Sequence, residues 1–174
     1  MGFRNDSYTI AWICALPLET MAAKAMLDEV HPSLPQAETD HNTYTLGRVN
    51  GHAVVLACLP SGVYGTTSAA IVLAHTLSTF PCLRFVLMVG VGGGVPSKST
   101  DICLGDVVVS MPTLTSRGVV QYNYGKTLPD GRSHCTGSLN KPPQYLLTAI
   151  SQLRSDHLTN KTLLKIILEG LQTH

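Results

Sequence analysis

Four glycines crowd into five consecutive positions at the end of an apolar run, and they are the first candidate for a ligand site. The run covers residues 85–89, and the glycines behind it are Gly90, Gly92, Gly93 and Gly94. Because glycine has no Cβ, the backbone at such a position can approach a bound molecule closely. Ligands in α/β sheets bind at the carboxyl ends of strands. We therefore predict that this loop, including Val91 between the glycines, faces a ligand.

A tight structural turn without a ligand is the alternative for this glycine cluster, and two nucleotide-binding motifs are disfavoured. A dinucleotide fingerprint starting at Gly90 would need a glycine where Val95 stands, with a helix directly behind it. A P-loop would need Gly-Lys followed by Ser or Thr directly behind the glycine cluster, where residues 95–97 are Val-Pro-Ser. We predict no organic cofactor.

A second glycine-containing turn covers residues 61–68, where a predicted helix begins. Its candidate substrate-binding residues are Gly62, Gly65, Thr66 and Thr67. Backbone N–H groups at the start of a helix suit anions, and the threonine hydroxyls would add donors. For either hydroxyl, plain capping of the helix is the alternative interpretation.

Glu19 is the one carboxylate placed where it could serve catalysis. It follows the first apolar run and stands at the start of a predicted helix, where the helix dipole favours negative charge. A capping role and a catalytic role are therefore both open for Glu19.

Strand-like and helix-like patterns alternate along the chain. The predicted strands cover residues 8–16, 43–49, 52–59, 85–89, 106–110 and 119–124. The predicted helices cover residues 19–30, 67–79, 145–153 and 162–171. Asn50-Gly51 between two strand-like runs is a strong hairpin signal, and residues 125–143 have loop composition. This alternation predicts an α/β fold with a mixed sheet.

The composition limits the kinds of partner. Hydrophobic residues make up 44% of the 174 residues, charged residues make up 13%, and the net charge is +1. A net charge this close to zero lacks the excess of basic residues that is typical of nucleic-acid-binding domains. The low charged fraction predicts that much of the chain is buried in the core or in a homo-oligomer interface. No apolar run approaches the length of a membrane span, and the first residues lack a signal-peptide core. We expect a cytoplasmic protein without nucleic-acid or membrane partners.

The metal-ligating residue types are scattered along the chain. The five cysteines are Cys14, Cys58, Cys82, Cys103 and Cys135. They contain no C-x-x-C pair, and the seven histidines show no metal-ligand spacing. We predict reduced, packed thiols and no metal site.

Two segments of the sequence resemble motifs of a known family. The glycine cluster is followed by Leu-Gly-Asp-Val-Val-Val-Ser at residues 104–110, which resembles the nucleoside phosphorylase superfamily of purine nucleoside and uridine phosphorylases and methylthioadenosine/S-adenosylhomocysteine nucleosidases. The opening YTIAWICALPLE, residues 8–19, resembles the N-terminal phosphorylase-like domain of fungal multidomain proteins. The resemblance implies a partial three-layer sandwich with a mixed sheet over residues 8–154, whose C-terminal part is absent. Residues 1–7 would be a tail, and residues 155–174 would be a further C-terminal segment that contains the predicted helix at residues 162–171.

The resemblance also implies roles for the candidate residues. Glu19 would position water or ribose, and the two glycine turns would hold ribose or phosphate. Met88 stands where the phosphorylases have a phosphate-gripping arginine, and Val91 stands where they have serine or threonine. Hydrolysis should therefore be favoured over phosphorolysis.

The expected function is cleavage of the N-glycosidic bond of a purine nucleoside, with phosphate as a second candidate ligand. The family's purine-contacting strand and its base-protonating aspartate lie beyond the matched part, so the 174-residue chain alone is expected to be inactive. The alternative is a non-catalytic module that senses a nucleotide or assembles with partners, with signalling domains following it in a longer relative.

Overall fold

The computed structural model describes residues 2–98, 101–121, 125–127, 131, 133–135, 137 and 139–158. They fall into two compact units, Met1–Ser99 and Thr100–His174. The predicted helix at residues 162–171 lies outside the described residues.

The first unit is built on a five-stranded mixed sheet. Its strands are β1 Ile10–Cys14, β2 Glu29–His31, β3 Tyr44–Val49, β4 His52–Cys58 and β5 Phe85–Met88. They lie in the order β2-β3-β4-β1-β5. β1 runs parallel to both β4 and β5, whereas β3 runs antiparallel to β2 and β4. The predicted α/β fold with a mixed sheet is confirmed.

One helix covers each face of this sheet. Helix α1, Pro17–Ala25, packs on the face that carries Cys14 and Leu56. Helix α2, Thr66–Thr79, packs on the opposite face, which carries Ile13 and Ala57. The alternation along β1 and β4 sends successive side chains to opposite faces, so both strands bury apolar residues on both sides. The first unit therefore has three layers.

The hairpin between β3 and β4 follows its sequence signal. Asn50 has φ of 47° and Gly51 has φ of 80°. Two left-handed residues in succession make the turn whose twist matches that of paired strands. The register runs from Val49 opposite His52 to Tyr44 opposite Ala57, as the two predicted strands require.

The predicted helix at residues 19–30 is wrong at its C-terminal end. The helix ends at Ala25, and Glu29–His31 form β2 along the edge of β3. The backbone N–H of Asp28 already donates to the carbonyl of Arg48 at 2.9 Å. Pairing with β3 satisfies these backbone groups, and this tertiary contact overrides the local helical pattern.

The second unit contains a short antiparallel pair and a helix. β6 Gly125–Thr127 pairs with β7 Ser133–Cys135 inside the predicted loop of residues 125–143. Helix α3, Gln144–Leu158, extends the predicted helix of residues 145–153. None of the helices in the described part of the chain has the length and apolar content that crossing a membrane requires.

The predicted strand at residues 106–110 is absent from the described secondary structure. Val107 and Val108 are 73% and 74% exposed. An apolar run becomes a strand only when a neighbouring backbone satisfies its N–H and C=O groups, and no described strand pairs with this run. Residues 119–121 also lack strand structure, while residues 122–124 lie outside the described part.

Candidate functional site

Three loops of the first unit leave the sheet at the same edge. β1, β4 and β5 are parallel neighbours, so their carboxyl ends lie side by side. The chain turns from β1 into α1, from β4 towards α2, and from β5 into the glycine cluster. The predicted site residues all belong to these three turns or to the helix starts that follow them.

Glu19 joins two of these loops through its carboxylate. Its Oε2 accepts hydrogen bonds from the backbone N–H groups of Ala15 and Leu16, both at 2.8 Å. Its Oε1 accepts the N–H of Val91, also at 2.8 Å. Leu16 is the N-cap of α1 and Glu19 occupies the third helical position, so this carboxylate completes half of a capping box. The structure therefore brings Glu19 and Val91 together.

These contacts fix the protonation state of Glu19. Burial alone would raise the pKa of this carboxyl, but three hydrogen bonds from backbone N–H groups outweigh it and lower the pKa below its ordinary value. Glu19 is thus an anion at neutral pH. It can accept hydrogen bonds from water or a hydroxyl, and it is unsuited to donate a proton.

Gly90 has a structural reason to be glycine. A Cβ at this position would overlap Oε1 of Glu19 and lie 2.7 Å from its Cδ. Such distances are shorter than any ordinary carbon contact, so a side chain at residue 90 would displace the carboxylate. The glycine at the end of β5 lets Glu19 reach Val91.

Gly92 and Gly93 have no comparable reason in the described fold. A Cβ at either position would meet nothing within 4 Å. Neither residue belongs to the glycines with positive φ. The conformation of the turn therefore does not require glycine at either position. A ligand packed against the loop would give a reason for glycine there, because a side chain would occupy its space.

The second glycine turn has a conformational cause. Gly62 has φ of 80° and Gly65 has φ of 102°, values that side-chain-bearing residues rarely adopt. Gly65 is the N-cap of α2 and makes no side-chain capping bond. Thr66 and Thr67 are exposed in the first turn, where helix N–H groups have no intrahelical partner. This helix start can accept an anion, but the glycines also serve the turn.

A cleft of about 550 Å³ opens at the same edge. Its walls come from α1, from residues 41–43 and from the end of β4, including Thr20, Lys24, His41, Cys58 and Ser61. None of the predicted site residues lines it. Sequence reasoning missed this cleft. Its available signal was the spacing of Thr20 and Lys24, which lie one helical turn apart on the same face of α1. Exposed helices commonly carry polar side chains at this spacing, so the signal is weak.

The two positions where the resemblance would place phosphate-binding residues carry apolar side chains. Met88 at the end of β5 is 59% exposed, and Val91 is 76% exposed. Neither side chain can donate a hydrogen bond to phosphate. In the described part of the chain, moreover, no group of three or more His, Cys, Asp or Glu side chains is placed to hold a metal ion.

A model of the phosphorylase superfamily matches residues 9–160. That match covers most of the 174 residues, and the chain belongs to the phosphorylase superfamily. The three-layer fold and the turns at the carboxyl ends of its parallel strands agree with that membership.

One curated relative comes from the fungus Hyaloscypha variabilis. It is a nucleotide-binding leucine-rich repeat (NLR)-like protein, 48% identical over 166 residues that make up 95% of this chain. The chain spans only 16% of the length of that relative. The similarity therefore concerns one part of a much longer protein.

Proposed function

We propose that this chain is a purine-nucleoside-binding domain whose chemistry is hydrolysis of the N-glycosidic bond. The observation that carries the proposal is the Glu19 carboxylate bound to the N–H of Val91 at 2.8 Å. It places an anionic acceptor beside an open loop at the carboxyl ends of parallel strands, where ligands of α/β folds bind. Membership of the phosphorylase superfamily supports a nucleoside as the ligand.

The role proposed for Glu19 follows from its protonation state and remaining capacity. A carboxylate offers about four lone-pair sites, and three backbone N–H groups occupy three of them. The remaining site can accept a hydrogen bond from a ribose hydroxyl or from an attacking water. Because the carboxylate is fixed at three points, it would orient that group with little entropy loss.

Hydrolysis is proposed over phosphorolysis because of Met88 and Val91. Phosphate recognition relies on charge-assisted hydrogen bonds, and these exposed apolar side chains supply none. Thr66 and Thr67 at the start of α2 remain as candidate donors to ribose.

Calorimetric titration with adenosine, guanosine and inosine tests the binding. We expect Glu19→Gln to weaken binding. The amide N–H₂ group of glutamine cannot accept the hydrogen bonds that backbone N–H groups donate to the carboxylate, so it would repel those donors. Glu38→Gln is the matched control, since Glu38 is an exposed carboxylate elsewhere in the first unit. Equal affinities for the two variants, or no binding of any of these nucleosides, would contradict the proposal.

The sugar product tests the reaction type. Because the 174-residue chain alone is expected to be inactive, the assay uses a longer protein that contains it. In phosphate buffer we expect free ribose rather than ribose 1-phosphate. The measurement is chromatographic separation of the two sugars. Ribose 1-phosphate as the major product would exclude the hydrolytic assignment while leaving nucleoside binding intact.

A recognition module is the second candidate, favoured by the relative. That protein is NLR-like, and this chain corresponds to 16% of its length. In this case the domain would bind a nucleoside or nucleotide, or assemble with partners, without cleaving anything. Nucleoside binding without any release of free base, in the 174-residue chain and in a longer protein that contains it, would favour this candidate.

A further inference from the structure

We propose that Cys14 and Cys58 form an oxidisable dithiol at the carboxyl edge of the sheet, in which Cys58 reacts first and Cys14 closes a reversible disulfide. The proposal is independent of the nucleoside assignment. It rests on strand register, on which face the two side chains share, and on their unequal exposure.

The register places the two cysteines opposite each other. Cys14 is the last residue of β1, Cys58 is the last residue of β4, and they are direct partners in the parallel pair. Neighbouring strands lie roughly 4.7–4.9 Å apart. Disulfides join Cα atoms that are roughly 4.4–6.8 Å apart, so the Cα spacing of this pair lies within the range that a disulfide spans.

The two side chains also lie on the same face of the sheet. Both belong to the apolar cluster beneath α1, where Cys14 packs with Ala23 and Leu56 and Cys58 lies against them. Both thiols are free. Two cysteines on adjacent strands that faced opposite sides could not react together, whereas these two can.

Their exposure differs in a way that sets the order of reaction. Cys14 is fully buried, while Cys58 is partly exposed and lines the 550 Å³ cleft. Burial raises the pKa of the Cys14 thiol and so favours its protonated form. A dissolved oxidant therefore meets Cys58 first, because reactivity follows thiolate character and access.

The oxidant class is a hydroperoxide, with hydrogen peroxide as the simplest member. The Cys58 thiolate attacks one peroxide oxygen, the O–O bond breaks, and the released hydroxide takes a proton to become water. The Cys14 sulfur then attacks the Cys58 sulfenic sulfur, the S–OH bond breaks, and hydroxide leaves as water with the Cys14 proton. Two thiols lose two electrons and the peroxide gains two.

Such a bridge would be readily reduced. Disulfides favour Cβ atoms roughly 3.5–4.5 Å apart, while side chains standing upright on adjacent strands keep close to the strand spacing of roughly 4.8 Å. Closing the bond must pull the two strand ends together, and a strained disulfide has the higher potential of a regulatory one. The bridge would also remove the Cys58 thiol from the wall of the cleft.

The test uses the 174-residue chain with Cys82→Ser, Cys103→Ser and Cys135→Ser, which leaves the two thiols in question. Titration with hydrogen peroxide should remove both thiols together and lower the chain mass by two hydrogens. Peptide mapping should find Cys14 linked to Cys58, and dithiothreitol should restore both thiols. Oxidation of Cys58 to sulfinic acid with Cys14 still a thiol, or survival of both thiols, would overturn the proposal.

Single variants in the same background assign the order. Cys14→Ala should accumulate a Cys58 sulfenic acid that dimedone traps, whereas Cys58→Ser should leave Cys14 unreacted. Rapid oxidation of Cys14 in the Cys58→Ser variant would overturn the order. If Cys14→Ala fails to fold, equilibration of the parent with oxidised glutathione still tests whether the two thiols close a disulfide. A Cys14–Cys58 disulfide supports the dithiol, and a persistent glutathione adduct on Cys58 overturns it.

Discussion

Glu19 has a structural role as a cap of helix α1 and a candidate role in catalysis. The same carboxylate caps the start of α1 through Leu16 and holds the loop after β5 through Val91. A residue that only capped the helix would need neither the second contact nor a glycine at residue 90. The pairing of Glu19 with Gly90 is therefore the most specific feature of this edge of the sheet.

The glycines after β5 should respond unequally to alanine. Gly90→Ala places a methyl group on the Glu19 carboxylate, so we expect a loss of about 1–3 kcal/mol in the free energy of unfolding. Gly92→Ala has open space and an ordinary φ, so we expect a neutral effect or a gain of up to about 1 kcal/mol. Urea unfolding measures both. Equal losses would contradict the distinct role of Gly90.

Gly93 tests whether the loop faces a ligand. Because Gly93 has open space around it and no positive φ, Gly93→Val should leave the melting temperature nearly unchanged. If a nucleoside lies against the loop, its affinity should fall sharply. The measurement pairs thermal unfolding with calorimetric titration. Unchanged affinity in a folded Gly93→Val variant would remove residue 93 from the candidate site.

At the scale of elements, a buried polar cluster ties the segment before β3 to helix α2. Asp40 is buried, and its carboxylate accepts hydrogen bonds from the hydroxyls of Thr79 and Tyr44 and from the backbone N–H of Asn42. The Asn42 amide in turn donates to the carbonyl of Val72 at 2.9 Å. Thr79, Tyr44 and Asn42 would each lose a hydrogen bond if the carboxylate were removed, so the cluster fixes α2 on the sheet.

Asp40→Asn should therefore destabilise the chain in a pH-dependent way. Burial raises the pKa of this carboxyl, but the hydrogen bonds from Thr79, Asn42 and Tyr44 lower it below its ordinary value overall. A lowered pKa in the folded state contributes stability above the unfolded pKa of about 3.9, and that stability is lost as pH falls through the folded pKa. At pH 7 we expect a loss of about 1–3 kcal/mol.

The measurement is urea unfolding of both proteins at pH 7 and again below pH 4. The difference between them should shrink in acid. Asp6→Asn is the matched control, because Asp6 makes an exposed ion pair with Arg4 at 3.5 Å and such pairs contribute little. A difference that stays constant with pH would show that the charge of Asp40 does not matter.

At the scale of the whole molecule, β5 is an edge strand of the sheet, where another chain could pair with it. β5 ends the strand order, and no described strand pairs with its far side. Met88, Val89 and Val91 are exposed at its carboxyl end, and only 13% of the chain is charged. Exposed edges with apolar side chains recruit further strands.

We therefore expect the 174-residue chain to self-associate. The double variant Met88→Lys, Val91→Lys should reduce the mass measured by light scattering, because charge on an edge opposes pairing. Ile71→Lys, on the exposed side of α2, should have little effect. A monodisperse monomer for the unsubstituted chain would refute the expectation.

The sequence by itself determined several of the local elements and the family. The apolar runs at β1, β4 and β5, the Asn50-Gly51 turn and the start of α2 were all predictable, because strand periodicity and glycine conformations are properties of neighbouring residues. The motif order at residues 8–19 and 104–110 indicated the superfamily that the match over residues 9–160 establishes. The ligand-binding roles of the two glycine turns stay predictions.

Only the tertiary structure decided which distant residues meet. The contact of Glu19 with Val91, the conversion of residues 29–31 from predicted helix to β2, and the pairing of Cys14 with Cys58 all depend on strand order and register. Register is set by hydrogen bonds and packing between segments far apart in the chain. No local pattern contains that information. Strand order and register decided that the Glu19 carboxylate binds the N–H of Val91, and that Cys14 and Cys58 lie opposite each other on neighbouring strands.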